Sequence, residues 1–126
     1  MKAQKQAKTA PTISVEVKLD LETVAACVKS AATSICYGAG YWAHCERRKP
    51  DGWKRGEALC ASEHHDGVEA AGPWVCIEGT DVLARGLAVL AVKAPKAFAA
   101  LLTDQYDGTT GDLLIQCIVL GEIKYG

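Results

Sequence analysis

Val15, Val17 and Leu19 alternate with Glu16 and Lys18, the period of two that places apolar side chains on one face of a half-buried strand, and a first strand is expected over 14–19. Asp20 follows, with a carboxylate able to accept the unpaired amides of a first helical turn. Leu21, Val24, Ala25, Val28, Ala31, Ala32 and Ile35 then recur at helical spacing, with Gly38 or Gly40 as the natural stop. From Tyr41 the pattern turns β-like over 41–48, and Pro50, Asp51 and Gly52 reverse the chain. A second strand over 57–63 closes at His65, Asp66 and Gly67, and a short third strand is expected over 74–78. Together they read as an antiparallel meander.

Thr80 or Asp81 is expected to cap a helix whose stripe runs Leu83, Leu87, Leu90, Ala94, Phe98 and Leu101. Pro95 removes one backbone donor inside that stripe, so two helices should meet near Ala94. Thr109 with Asp112 resembles a capping box with Asp in place of Glu, opening a last helix that Gly121 closes. In that helix Leu113, Leu114, Ile115, Cys117, Ile118, Val119 and Leu120 leave Gln116 as the only polar side chain in the run. A helix apolar on all sides must be covered on all sides. In a small domain this predicts a homodimer or larger homo-oligomer through the last helix, the competing account being that the helix is the centre of the monomer core. The fold class expected is α+β, a short antiparallel meander packed against three to four helices, with residues 1–11 a flexible basic arm and 12–126 one domain.

A chain of 126 residues can bury a core without disulfides or metals. Arg85, Lys93, Pro95 and Lys96 interrupt one long apolar run and 113–120 is too short, so neither is expected to span a bilayer. No apolar stretch follows Lys2, Lys5 and Lys8 as an export signal requires, so a cytoplasmic place and no membrane contact are expected. The six cysteines are then expected to be reduced, and Cys27, Cys76 and Cys117 to serve as small core residues. Residues 1–63 carry ten Lys or Arg against seven Asp or Glu, and 64–126 carry four against eight. This gives a basic and an acidic pole able to orient a partner, and too little positive charge for bulk nucleic-acid binding.

Cys36, His44, Cys45, Cys60, His64 and His65 are zinc-type ligands. They lack paired Cys-x-x-Cys or His-x-x-x-His spacing, and a pleated strand points His44 and Cys45 to opposite faces. No metal and no cofactor are therefore expected. Asp104, Asp107 and Asp112 lack the EF-hand order and read as caps and loop charges. The Gly38-Ala39-Gly40 stretch reads as a helix stop, and no nucleophile elbow, dinucleotide fingerprint or Walker loop occurs. The protein is expected not to be an enzyme. The strongest local feature is Arg47, Arg48, Lys49, Pro50, Asp51, Gly52, Trp53, Lys54 and Arg55, five cations around a tight turn with an indole beside them. Such cations engage phosphates or carboxylates, and Trp stacks on a base or fills a pocket; the plainer reading is a hairpin tip kept soluble by charge. Tyr41, Trp42, Arg47, Arg48, Trp53, Lys54 and Arg55 are the candidate ligand- or partner-binding residues.

Over 37–43 (YGAGYWA), 79–90 (GTDVLARGLAVL) and 107–126 (DGTTGDLLIQCIVLGEIKYG) the chain resembles an uncharacterised group of small phage and prophage accessory proteins. Residues 46–74 fall outside the resemblance. The resemblance carries no known activity and no functional residue with it; short phage accessory proteins are often inhibitors of bacterial immunity, so the leading expectation is a non-catalytic inhibitor of a bacterial defence system in the host cytoplasm, anti-CRISPR-like or similar, acting by stoichiometric binding to a host defence protein. Alternatives are a sponge for a nucleotide signal, with Arg47, Arg48, Lys54 and Arg55 on phosphates and Tyr41, Trp42 or Trp53 on a base, and a self-associating structural or regulatory phage protein.

Overall fold

A computed structural model describes residues 11–12, 18–33, 39–50, 53, 56–64 and 73–125. Among the described residues, four helices and a three-stranded antiparallel sheet make an α+β fold. Most of the arm and of the strand expected over 14–19 lie outside the described residues, as do the expected turn residues Asp51, Gly52 and 65–67.

Helix α1 (Leu21–Thr33) starts where Asp20 predicts: its carboxylate accepts the Glu22 amide at 2.9 Å. Its buried stripe is Val24, Cys27, Val28 and Ala31. Ala25, which the pattern placed on the apolar face, is exposed, and Cys27, outside that pattern, is buried. A single 3-10 turn (Ala39–Tyr41) leads into β1 (Ala43–Arg48). Strand β1 pairs antiparallel with β2 (Ala58–Glu63), from Ala43 opposite Glu63 to Arg48 opposite Ala58, and β2 pairs with the two-residue β3 (Val75–Cys76). The Trp53 amide donates to Pro50 O at 3.0 Å. Both faces of β2 are covered, because Leu59 and Ala61 on one face and Ala58, Cys60 and Ser62 on the other are all buried.

Helix α2 (Thr80–Lys93) and helix α3 (Pro95–Leu102) meet at Ala94, as Pro95 requires. The cap of α2 falls one residue before the expected Thr80, at Gly79, whose φ of 106° suits glycine and which offers no side chain to the first amides. Helix α4 (Gly108–Val119) is capped two residues before the expected Thr109: Asp107 accepts the Thr110 amide at 3.0 Å while Thr110 Oγ1 accepts the Asp107 amide at 3.3 Å. Gly121, at φ 71°, ends it.

Helix α4 is the centre of the monomer. Leu114, Ile115, Gln116, Cys117 and Ile118 are at most 4% exposed, and Leu113, Val119 and Leu120 pack partly buried against the core. Glycines set how close its neighbours come. A Cβ on Gly111 would stand 2.5 Å from Ala31 Cβ of α1, and one on Gly86 would stand 2.4 Å from Ile118 Cγ1 across the α2–α4 contact. The uncovered face that argued for a second copy through α4 is thus occupied within one chain, by α1, α2, α3 and the sheet. Among the described residues no helix is long and apolar enough to cross a membrane.

Candidate functional site

The sheet has two chemically different ends. At the hairpin end, Arg47 lies on the core-facing side of β1 with Ala43 and Cys45, but beyond the cover of the helices, and its side chain is 49% exposed. Its Nη1 is 3.9 Å from Glu78 Oε2, the same oxygen that accepts the Leu59 amide at 2.7 Å. Arg48 points to the opposite face, donates to Glu46 Oε1 at 2.7 Å, and lays its guanidinium 4.5 Å from the centre of the Trp74 ring. Lys49 is exposed. Trp53 is half-buried, and its indole Nε1 has no hydrogen-bond partner among the described residues. Pro50, Trp53, Cys76, Glu78 and the first residues of α2 line a cavity of about 300 Å³ at the base of the hairpin. Lys54 and Arg55 lie outside the described residues.

At the other end the expected Tyr41 and Trp42 element goes to two places. Tyr41 is 55% exposed, yet its hydroxyl donates to Asp112 Oδ2 at 2.7 Å. Trp42 is 1% exposed and donates its indole N–H to Asp112 Oδ1 at 2.6 Å. Tyr125 stacks on it at 5.5 Å between centroids. In this arrangement Trp42 presents no ring face to a partner and acts as core. Asp112 also accepts from Gln116 Nε2 at 3.2 Å. Burial, then the hydrogen bond and charge of Asp112, hold the Tyr41 phenol above its ordinary value.

His44 and His64 share one face of the sheet, their rings 4.6 Å apart and tilted by 45°. His64 Nε2 lies 3.3 Å from Gly40 O, a carbonyl to which the Nε2–H tautomer donates. His44 Nε2 and His64 Nδ1 are buried without partners among the described residues. Cys45 faces the helices instead, as strand alternation requires. Cys36 and His65 lie outside the described residues, and no three His, Cys, Asp or Glu among those described group as a metal site. Of the three loop carboxylates, Asp107 is the α4 cap and Asp112 the buried acceptor.

Pattern reading missed Trp74, Glu78, Glu63, Lys124 and Tyr125. Glu63 accepts from Lys124 Nζ at 2.9 Å and from the Tyr125 hydroxyl, fastening the C-terminal tail to β2. The signal for this cluster was Gln116, because a lone amide inside an apolar run must find buried partners. It finds the Lys124 and Tyr125 amides and Tyr125 O, at 2.8, 2.8 and 3.0 Å. No family model, no curated protein and no solved structure matches this chain.

Proposed function

We propose that the protein is a non-catalytic binding module, a phage-type accessory protein that inhibits a bacterial defence component by occupying it stoichiometrically through the hairpin end of the sheet. The supporting observation is the end of the sheet itself: Arg47 and Arg48, each about half exposed and each near a carboxylate, stand on opposite faces of β1, Arg48 over the Trp74 ring, and the half-buried Trp53 lines the cavity at the same end. Arginine and tryptophan are among the residue types that most often anchor protein interfaces. Charge favours a protein partner over a free nucleotide. Glu78 and Asp81 in the cavity wall oppose a phosphate, and both guanidiniums already have carboxylates to satisfy. A protein surface can offer acidic and basic groups together.

The nucleotide-sponge reading keeps one observation in its favour, the cavity of about 300 Å³ lined by an indole whose N–H has no partner among the described residues. Replacing Arg47 and Arg48 by Glu reverses two charges at solvent-exposed positions. The pair should fold as wild type, by circular dichroism and thermal melting, and should fail to retain the defence complexes that immobilised wild-type protein pulls from host lysate. Equal retention by the variant removes the hairpin reading, and a nucleotide mass on native protein purified from host cells would replace it with the sponge. Self-association loses its support in α4 and needs another surface. The outer face of α2, with Val92 77% exposed beside a groove lined by Leu87, Ala88, Ala91 and Phe98, is the surface we assign to it. Light scattering on wild type and Val92→Glu tests this, with a monomer mass for wild type ending the assignment.

A further inference from the structure

Strand β3 is only two residues long, and its register places Cys76 directly opposite Cys60 on β2. The phase of that ladder follows from neighbouring bonds. The Ile77 amide donates to Leu59 O at 3.0 Å, and the Leu59 amide turns to the same side, towards Glu78. On β2 the backbone groups of Leu59 therefore face β3, and those of Cys60 face β1, as the alternation of antiparallel pairs demands. Cys60 and Cys76 thus form a non-hydrogen-bonded pair, the closer of the two antiparallel positions, with α-carbons typically about 4.5 Å apart and side chains on one face. That spacing lies within the range a disulfide spans, about 4.4 to 6.8 Å. Both thiols are free. Each makes a hydrogen bond along its own strand, Cys76 to Glu78 O at 3.1 Å and Cys60 to Ala58 O at 3.6 Å.

Access differs between the two. Cys76 is half-buried and lines the hairpin cavity, whereas Cys60 is 2% exposed behind it. The other described cysteines are placed elsewhere: Cys45 faces the helices from the other side of the sheet, Cys27 lies against α4, and Cys117 is inside α4.

We propose that Cys60 and Cys76 are a cross-strand dithiol that a low-molecular-weight disulfide oxidises reversibly to an intramolecular disulfide. Cys76 loses its proton and attacks one sulfur of the small disulfide, which leaves as a thiolate and takes up a proton. Cys60 in turn loses its proton and attacks the sulfur of Cys76, releasing the second small thiol. One protein dithiol and one small disulfide thus become one protein disulfide and two small thiols, with two electrons passing to the small molecule. The order follows from access, and burial with the neighbouring Cys76 sulfur also holds the Cys60 thiol above its ordinary value. The product would pin the shortest strand of the sheet and one wall of the hairpin cavity. The inference stands apart from the proposed binding function.

The test uses the reduced full chain in native buffer, treated with oxidised glutathione, quenched by alkylation and digested after Glu. No Lys or Arg separates the two cysteines, so trypsin would leave them on one peptide, whereas cleavage after Glu57, Glu63, Glu69 and Glu78 puts them on 58–63 and 70–78. The expected product is these two peptides joined at their summed mass less two hydrogens, and separated again by dithiothreitol. Cys60→Ser should stop at a glutathione adduct on Cys76. Cys76→Ser should leave residue 60 unmodified, which keeps the test open if the first variant folds poorly. A bond from either cysteine to any other, a persistent glutathione adduct on wild-type Cys76, or two thiols still free when excess oxidant has been applied would each overturn the proposal.

Discussion

Asp112 is 7% exposed and accepts from a phenol, an indole and an amide, with no cation beside it among the described residues. Its negative charge is held by donors alone, so it works as the acceptor that lets Trp42 be buried. Asp112→Ala should cost about 1–3 kcal/mol in urea unfolding, because the Tyr41 hydroxyl can turn to water and the Trp42 N–H cannot. Tyr41→Phe, which removes only the exposed donor, should cost clearly less. Buried thiols set a second residue-scale expectation. Burial, with the charge of Asp107 second, pushes the Cys27 thiol up to about 12, and burial pushes Cys45 and Cys117 to about 11, from an ordinary 9.0. The folded state holds these protons more tightly than the unfolded chain does. Stability is therefore complete below about pH 9 and falls as pH rises towards about 11. Urea midpoints measured from about pH 8 to 10.5 should drop, and Cys27→Ala should flatten the drop even though it lowers the midpoint at pH 8.

Among the elements, the helix contacts depend on two glycines. At Gly111 a methyl group would meet Ala31 Cβ at 2.5 Å and the Cys27 carbonyl oxygen at 2.9 Å, and the second of these is backbone. Helix α1 would have to move. At Gly86 the nearest atom is Ile118 Cγ1, part of a side chain that can turn. Alanine gains about 1 kcal/mol in helix propensity over glycine, and overpacking costs about 1–3 kcal/mol. Gly111→Ala should therefore destabilise by about 1–2 kcal/mol in denaturant melts, and Gly86→Ala by less. These glycines also mark how far pattern reading reached. Apolar periodicity and Pro95 located the sheet and the four helices of the described residues, because those signals are local in the chain. Cap positions moved by one or two residues because Gly79 and Asp107 were chosen by backbone geometry and by Thr110, which periodicity does not register. Trp42 and Tyr41 looked equivalent in sequence; both donate to Asp112, about 70 residues further on, yet Trp42 is 1% exposed and Tyr41 55%, a difference no local pattern registers. Likewise, the cations of the hairpin were legible as residues, and their pairing with Glu46, Glu78 and Trp74 was not.

For the molecule as a whole, Gln116 connects parts of the chain that periodicity treats as separate. It is fully buried at the centre of α4, reaches Asp112 through Nε2, and holds both Lys124 and Tyr125 by their backbone groups. The tail then lays Tyr125 on Trp42 and ties Lys124 and the Tyr125 hydroxyl to Glu63 of β2. One amide therefore couples the helix core, the 3-10 turn and the sheet. Gln116→Leu keeps a similar volume but strands two N–H groups and one C=O of the tail. Those groups can recover partners only by leaving for water, since an unsatisfied buried polar group costs about 1–3 kcal/mol. Release of the tail is thus the expected response, with Tyr125 lifted from Trp42 and the loss limited to its packing, about 2–3 kcal/mol. Three readings should move together: a lower urea midpoint, faster hydrogen exchange at the Lys124 and Tyr125 amides, and a red-shifted tryptophan emission as water reaches Trp42. Tyr125→Ala should reproduce the emission shift, and the double variant should cost less than the sum of the two singles, because both remove the same strap. Amides at 124 and 125 that stay protected in Gln116→Leu would show that the tail is held by Glu63 and stacking alone.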